Sequence, residues 1–508
     1  MLSLVVFLPA LAAAVLGLAR GLPDRVARWA WVLVAAVETV LVLGLWLAFE
    51  DPGRGRLAFE EQVRWLPSLG SSYHVGLDGL SLPLVLMTNV VFLACAVHAL
   101  TERRRPRAQA ALFLFLQATC LGVFAAADLL VFFVFFDLSI VGMYAVIAGW
   151  GHRDAARSAL KFFLYTFLGS LVLLLGFIGL FAASGDAGPR TFDMVELAAR
   201  PPLVDRPLAG GLVLVAVLVG LAVKIPTVPF HTWLPPAHTD APAVGSAVLA
   251  GVLLKLGTYG LVRIAVPMLP EAWRSLAWVV VALGVVSVLW GALVALAQTD
   301  VKRMIAYTSV NHMGYVVLGL GVAGLLADGA PDASREEAAV TAVSGALTQM
   351  VSHGLITAAL FLLVDLLWQQ REDYSLDAYG GLARVAPVFS GLFAVGAFAS
   401  LGLPGFSGFV AEVQVFAGSI ALAPVTAVAL LGILLTAALY LRALQRLVVG
   451  PVAGRSVGLA DLAPHATVAV AGLLALSVLV GLLPAVLLDV VAPAAQHVVD
   501  ALSGADLP

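Results

Sequence analysis

The sequence predicts an all-α polytopic membrane protein of about fourteen transmembrane helices. Three observations predict it. Of the 508 residues, 61% are hydrophobic and only 12% charged, far outside the composition of soluble domains. Apolar runs of roughly 20 residues recur along the whole chain, each long enough to cross a hydrocarbon core of about 30 Å as a helix. Short polar stretches separate these runs, so no segment is left over for a sizeable soluble domain.

The opening run, 2–19, has a small-residue, apolar character that also suits a signal peptide. It lacks a positive leader, and its first arginine, Arg20, follows the run, so it reads as a retained first helix. Runs at 27–49 and 76–100, closed by "TERRRPR", complete an N-terminal three-helix segment, 1–107. Spans at 108–127, 129–150, 158–183, 209–230 and 243–265 form a first five-helix block, 108–265. Those at 275–297, 304–327, 338–368, 385–420 and 423–446 form a second, 275–446. A last span at 465–495 and a tail occupy 447–508. Loops after odd-numbered spans carry about seventeen lysines and arginines and the others about eight, which places the former in the cytoplasm and both termini outside. The acidic tail, with Asp500 and Asp506, suits that side.

Two spans are interrupted by proline and glycine. The seventh carries Pro226, Pro229, Pro235 and Pro236, and the twelfth reads "SLGLPGFSGFVAE" from Ser400 to Glu412. They stand five helices apart, an odd number, so equivalent helices in the two blocks run in opposite directions. This is the pattern of two inverted five-helix repeats, helices 4–8 and 9–13, with broken helices 7 and 12 beside an ion or substrate path.

An ionisable side chain at bilayer depth is costly, so each needs a partner, a water-filled cavity or a task. Asp137, Lys224, Lys255, His312, His353 and Glu412 fall in spans 5, 7, 8, 10, 11 and 12, one per helix, most of them near the middle. As a set they read as a buried polar row, and their chemistry suits protons. Burial disfavours the charged form of lysine and carboxylate alike, an opposite charge restores it, and histidine passes a proton between its two nitrogens. Plainer readings stand beside this one. Asp137 and Lys224 also suit a static ion pair, and His353 an interhelical hydrogen bond. Lys255 is too deep to snorkel easily. Lys161, Arg263, Arg303, Arg442 and Arg446 read as interfacial anchors. Asp78, Asp128, Asp300 and Asp365 read as interfacial or capping residues, and His231 and His238 as capping or lining the first break.

Other classes find little support. Cys95 and Cys120 both lie inside apolar runs, which argues against a disulfide framework or a cysteine metal cluster. "HTWLPPAH" has a proline pair where a ligand-bearing helix is needed, so no metal is expected. A dinucleotide fingerprint and a Walker loop are both missing, and a net charge of −3 gives no reason to expect nucleic acid.

Seven stretches then carry a resemblance: "VGLDGLSLPLV" (75–85), "ALKFFLYTFLGSL" (159–171), "AVKIPTVPFHTWLPPAHTDAP" (222–242), "GVLLKLGTYGL" (251–261), "QTDVKRMIAYTSVNHMGYV" (298–316), "YGGL" (379–382) and "LPGFSGFVAE" (403–412). Together the chain resembles the proton-pumping antiporter-like subunits of respiratory complex I, most closely the M type, over essentially its whole length. The resemblance implies a proton-translocating subunit of an NADH-quinone oxidoreductase, with L- and N-type neighbours, in a bacterial plasma membrane. It implies no cofactor on this chain, with NADH, FMN, iron-sulfur clusters and quinone held elsewhere in the complex. By motif position Asp137 takes the place of the fifth-helix glutamate and Lys224 that of its paired lysine. Lys255 is similar to the central lysine of the eighth helix, His312 and His353 to axis histidines, and Glu412 to the outlet residue, where the L and N types and cation antiporters usually carry lysine.

This chain departs from the family pattern in the aspartate at 137 and in Pro236 and Asp240 of "HTWLPPAHTDAP". Aspartate is shorter by one C–C bond, roughly 1.5 Å, so a looser contact with Lys224 is expected. Competing classes are a subunit of a multisubunit sodium/proton antiporter, a membrane-bound hydrogenase subunit, and a non-conducting scaffold of the membrane arm.

Overall fold

The computed structural model describes residues 1–19, 21–186, 188–326 and 332–503; the readings of Arg20, Asp506 and the end of the tenth span at residue 327 lie outside them. Helices α1 (Leu2–Leu18) and α2 (Asp24–Leu47) are followed by an antiparallel hairpin, β1 (Ala58–Leu66) and β2 (Ser71–Leu77). Next come α3 (Ser81–His98), α4 (Pro106–Ala125), α5 (Leu129–Trp150) and α6 (Ala155–Ser184). The first interrupted span consists of α7 (Pro207–Lys224) and the short α8 (Leu234–Asp240). Then follow α9 (Ala243–Met268), α10 (Pro270–Leu296), α11 (Val301–Ala323) and α12 (Ala333–Arg371). The second interrupted span is α13 (Pro387–Ser400) with α14 (Ser407–Leu422), and α15 (Pro424–Leu447), α16 (Pro464–Leu482) and α17 (Ala485–Ser503) complete the chain.

Twelve described helices are long and apolar enough to cross a membrane by length and composition. Burial sorts them. In α9 and α12, 94% of the most apolar stretch is enclosed, against 33% in α2 and α15, so α9 and α12 are the central helices and α2 and α15 present one flank outward. Large apolar side chains cover those outward flanks, as lipid contact requires. Small residues set the tightest approach: a Cβ at Gly291 of α10 would lie 2.6 Å from the Asn311 backbone nitrogen, and one at Gly284 2.7 Å from that of Leu318. Without side chains at these points α10 and α11 come together closely.

Three details depart from the sequence-based expectation. The span expected at 465–495 is two helices, α16 and α17. Pro484 lacks an N–H, and Leu483 before it leaves the helical region at φ −124°. The span expected from 76 starts at Ser81, because Val75 and Leu77 pair with β1 and the Asp78 carboxylate accepts from Leu80 and Ser81 nitrogens at the helix start. Finally, α9 is not uniform: π-helical turns at Leu249–Leu253 and Leu261–Ala265 flank the turns that carry Lys255.

Candidate functional site

The first half of the site begins where α7 stops. Lys224 is the last residue of α7, fully enclosed, and the irregular chain beyond it has its backbone groups met one by one. Trp233 Nε1 donates to the Val223 carbonyl at 2.9 Å, the Val228 nitrogen to Ser287 Oγ at 3.0 Å, and Lys161 Nζ to the Thr232 carbonyl at 2.7 Å. Non-helical backbone at membrane depth persists only when so satisfied.

Lys224 Nζ donates to Ser139 Oγ at 3.1 Å and sits 4.7 Å from the Phe136 ring centroid. Phe136 and Ser139 are three residues apart, so they share the buried face of α5. Asp137 lies about 100° around the helix from Phe136. It is only partly buried and makes no ion pair with Lys224 within 4.0 Å. Its Oδ1 is buried without a hydrogen-bond partner, and Ser170 and Lys224 are the polar groups whose fields reach it. The structure therefore brings Lys224 to α5 without closing the pair expected from the sequence.

The second half is continuous. Lys255, fully buried, donates to the Ala250 carbonyl at 2.6 Å, five residues back in the π-helical turn, and lies 2.6 Å from His353 Nδ1 on α12. When Lys255 is charged it can only donate, so Nδ1 then accepts and the His353 proton resides on Nε2. Nε2 has no protein partner. The ring of His312 on α11 stands 5.4 Å from that of His353, edge to face, and its own Nε2 is unpartnered. His312, His353, Gln349, Ser352, Ser400 and Glu412 line a cavity of about 10 Å³, about the smallest that holds a water molecule. Lys255, His353, His312, one water site and Glu412 thus form a run of proton-competent groups.

Gly402 explains how Glu412 reaches that cavity. Its φ is +73°, and a Cβ there would lie 2.3 Å from Glu412 Oε2. The left-handed backbone at the break between α13 and α14 therefore favours a glycine, and the missing side chain leaves the carboxylate in place. Ser407 Oγ, at the start of α14, pairs with Ser352 at 2.8 Å and Ser477 at 2.7 Å, fixing the break against α12 and α16.

Sequence reasoning missed a second cluster at the other end of these helices. Lys302, beside the anchor-like Arg303, is fully buried; its Nζ donates to the Ala241 carbonyl at 2.5 Å and lies 5.1 Å from the Tyr374 ring. The fields of Asp365, Asp300 and Asp240 act on it. Asp365, read from the sequence as interfacial or capping, caps no helix; it accepts from Gln369 at 2.6 Å and pairs with His98 Nε2 at 2.9 Å. Asp300 does cap α11, through the Arg303 nitrogen, and meets the half-exposed Arg153 at 3.4 Å. Between the cluster and Lys255 stands His238, stacked on Phe361 at 4.6 Å with both ring nitrogens unpartnered and the charges of Lys302 and Lys255 acting on it. The only signal in the sequence was a lysine adjacent to an arginine at a span end, where one residue of offset separates a surface anchor from a buried cation.

Residues 126–439, more than half of the chain, match the family described as NADH:quinone oxidoreductase/Mrp antiporter, TM. The chain belongs to that family. NADH-quinone oxidoreductase subunit M of Rhodobacter capsulatus is 37% identical over 98% of this chain and 96% of its own length. The F(420)H(2) dehydrogenase subunit M of Methanosarcina mazei is 40% identical over 81% of this chain and 80% of its own. Among solved structures, a chain of respiratory complex I from Thermus thermophilus with bound NADH superposes with a TM-score of 0.87 at 30% identity, covering 99% of this chain and all of the other. The antiporter-like family thus accounts for nearly the whole chain, the two interrupted helices included.

Proposed function

We propose that this chain is the M-type, proton-translocating membrane-arm subunit of an NADH-quinone oxidoreductase. The observation that carries the reading is the run from Lys255 through His353 and His312 to Glu412, which crosses from α9 to α14 through groups that each accept or release a proton. Quinone reduction elsewhere in the complex supplies the driving force, and this chain contributes no redox centre or active site of its own. Protons enter from the cytoplasm at Lys302 and Asp365, pass His238 to Lys255, and leave outward at Glu412. The Lys224 site controls Lys255 through its charge: a proton on Lys224 disfavours one on Lys255. The subunit lies in a bacterial plasma membrane with both termini outside, between L- and N-type neighbours that share its family fold.

Isolating the complex through a tag on this chain tests the reading. Co-isolation of flavin and iron-sulfur subunits with proton-coupled quinone reduction is the expected result. Sodium/proton exchange by a preparation free of redox subunits would replace it with the antiporter reading.

A further inference from the structure

Glu38 belongs to no part of the axis. It sits in the middle of α2 and is fully buried, although Val37 and Val40 beside it face outward. Neither carboxylate oxygen has a hydrogen-bond partner, and among the described residues no basic group lies within ion-pair distance. An ionised carboxylate so placed costs several kcal/mol, and such a group neutralises instead. As the neutral acid, Glu38 has one O–H to donate.

Its seam offers an acceptor. The Trp31 ring of α2 packs on Phe113 of α4 at a centroid distance of 5.0 Å. Glu38 is seven residues beyond Trp31 and Gln117 four beyond Phe113, so both lie on the faces that already meet. Two helices separated by one crossing span run in the same direction, which places Gln117 and Glu38 successively along the same seam. Gln117 Nε2 donates to Asn89 Oδ1 of α3 at 2.7 Å, and Asn89 Nδ2 in turn donates to the Val85 carbonyl at 3.0 Å. Gln117 Oε1, however, is buried and unpartnered. The bundle therefore holds an orphaned acceptor and a carboxyl that becomes a donor only when protonated. Trp31 Nε1 is an unpartnered donor on the same seam, but it lies seven residues, about two turns, before Glu38.

We propose that Glu38, Gln117 and Asn89 form a further proton-binding site, in which Glu38 is held as the neutral acid donating toward Gln117.

The test labels the intact wild-type complex with dicyclohexylcarbodiimide, which adds to protonated intramembrane carboxyls, and maps the adducts by peptide mass. An adduct on Glu38 at neutral pH, absent in Glu38→Gln, is expected. Labelling of Glu412 in the same sample with none on Glu38 overturns the site.

Discussion

The ammonium nitrogen of Lys255 stands 2.6 Å from Nδ1 of His353, and the same nitrogen reaches back 2.6 Å to the Ala250 carbonyl. While Lys255 is charged, Nδ1 of His353 accepts and the other nitrogen, Nε2, is left to carry the proton onward. Replacing His353 by alanine removes the acceptor and the carrier together, and proton pumping should fall more than about tenfold, in the range of a lost acid–base group. Glutamine at 353 keeps hydrogen-bonding capacity without titrating. It should preserve assembly while pumping as poorly as alanine, and pumping assays on reconstituted complex read the difference.

Lys224 is held by Ser139 and Phe136, and Asp137 acts on it from the flank of α5. Asp137→Ala should therefore reduce proton-coupled turnover several-fold, but less than Lys224→Ala. Asp137→Glu, longer by roughly 1.5 Å, should equal or exceed the parent. If Asp137→Ala retains full proton-coupled turnover, the carboxylate has no essential coupling role.

Outside the membrane, His74 of β2 sits between two carboxylates, 2.6 Å from Asp193 Oδ2 and 2.7 Å from Glu60 Oε1. Burial alone would drive its proton off. The hydrogen bonds and charges of Asp193 and Glu60 outweigh burial and raise its pKa above the ordinary 6.5. A raised folded value means that the clasp's stabilisation is fully present below pH 6.5 and is lost as pH climbs through the raised value. Asp193 also caps the short helix Met194–Ala199, so hairpin and helix should loosen together. Amide hydrogen exchange should speed up in both segments on alkalinisation, and His74→Gln should remove the pH dependence.

At Gly402 an added Cβ meets only the carboxylate end of the Glu412 side chain. Alanine there meets a left-handed backbone penalty of about 1–2 kcal/mol and displaces the Glu412 carboxylate. Pumping by Gly402→Ala should fall toward that of Glu412→Ala, while quinone binding elsewhere in the complex is unchanged.

The sequence made the spans and both interruptions legible, because a charge or a proline pair inside an apolar run has few alternative explanations. Lys255, His312, His353 and Glu412 were visible for the same reason. Three kinds of feature were not. The rotation of α5 that turns Ser139 rather than Asp137 toward Lys224 depends on how helices pack, and a run apolar on every side carries no pattern that fixes it. Lys302 and Glu38 were hidden differently: each lies among residues that read as ordinary, one beside a surface arginine and one in a helix that is mostly outward-facing. The hairpin escaped notice because strands β1 and β2 are short and partly polar, with no long apolar run to announce them.

The account's central claim is that protons cross this chain through Lys255. The most direct measurement is the number of protons pumped per quinone reduced by vesicles holding the assembled complex with Lys255→Ala. The account predicts a clear fall in that ratio while electron transfer to quinone persists; an unchanged ratio in a fully assembled complex would contradict it.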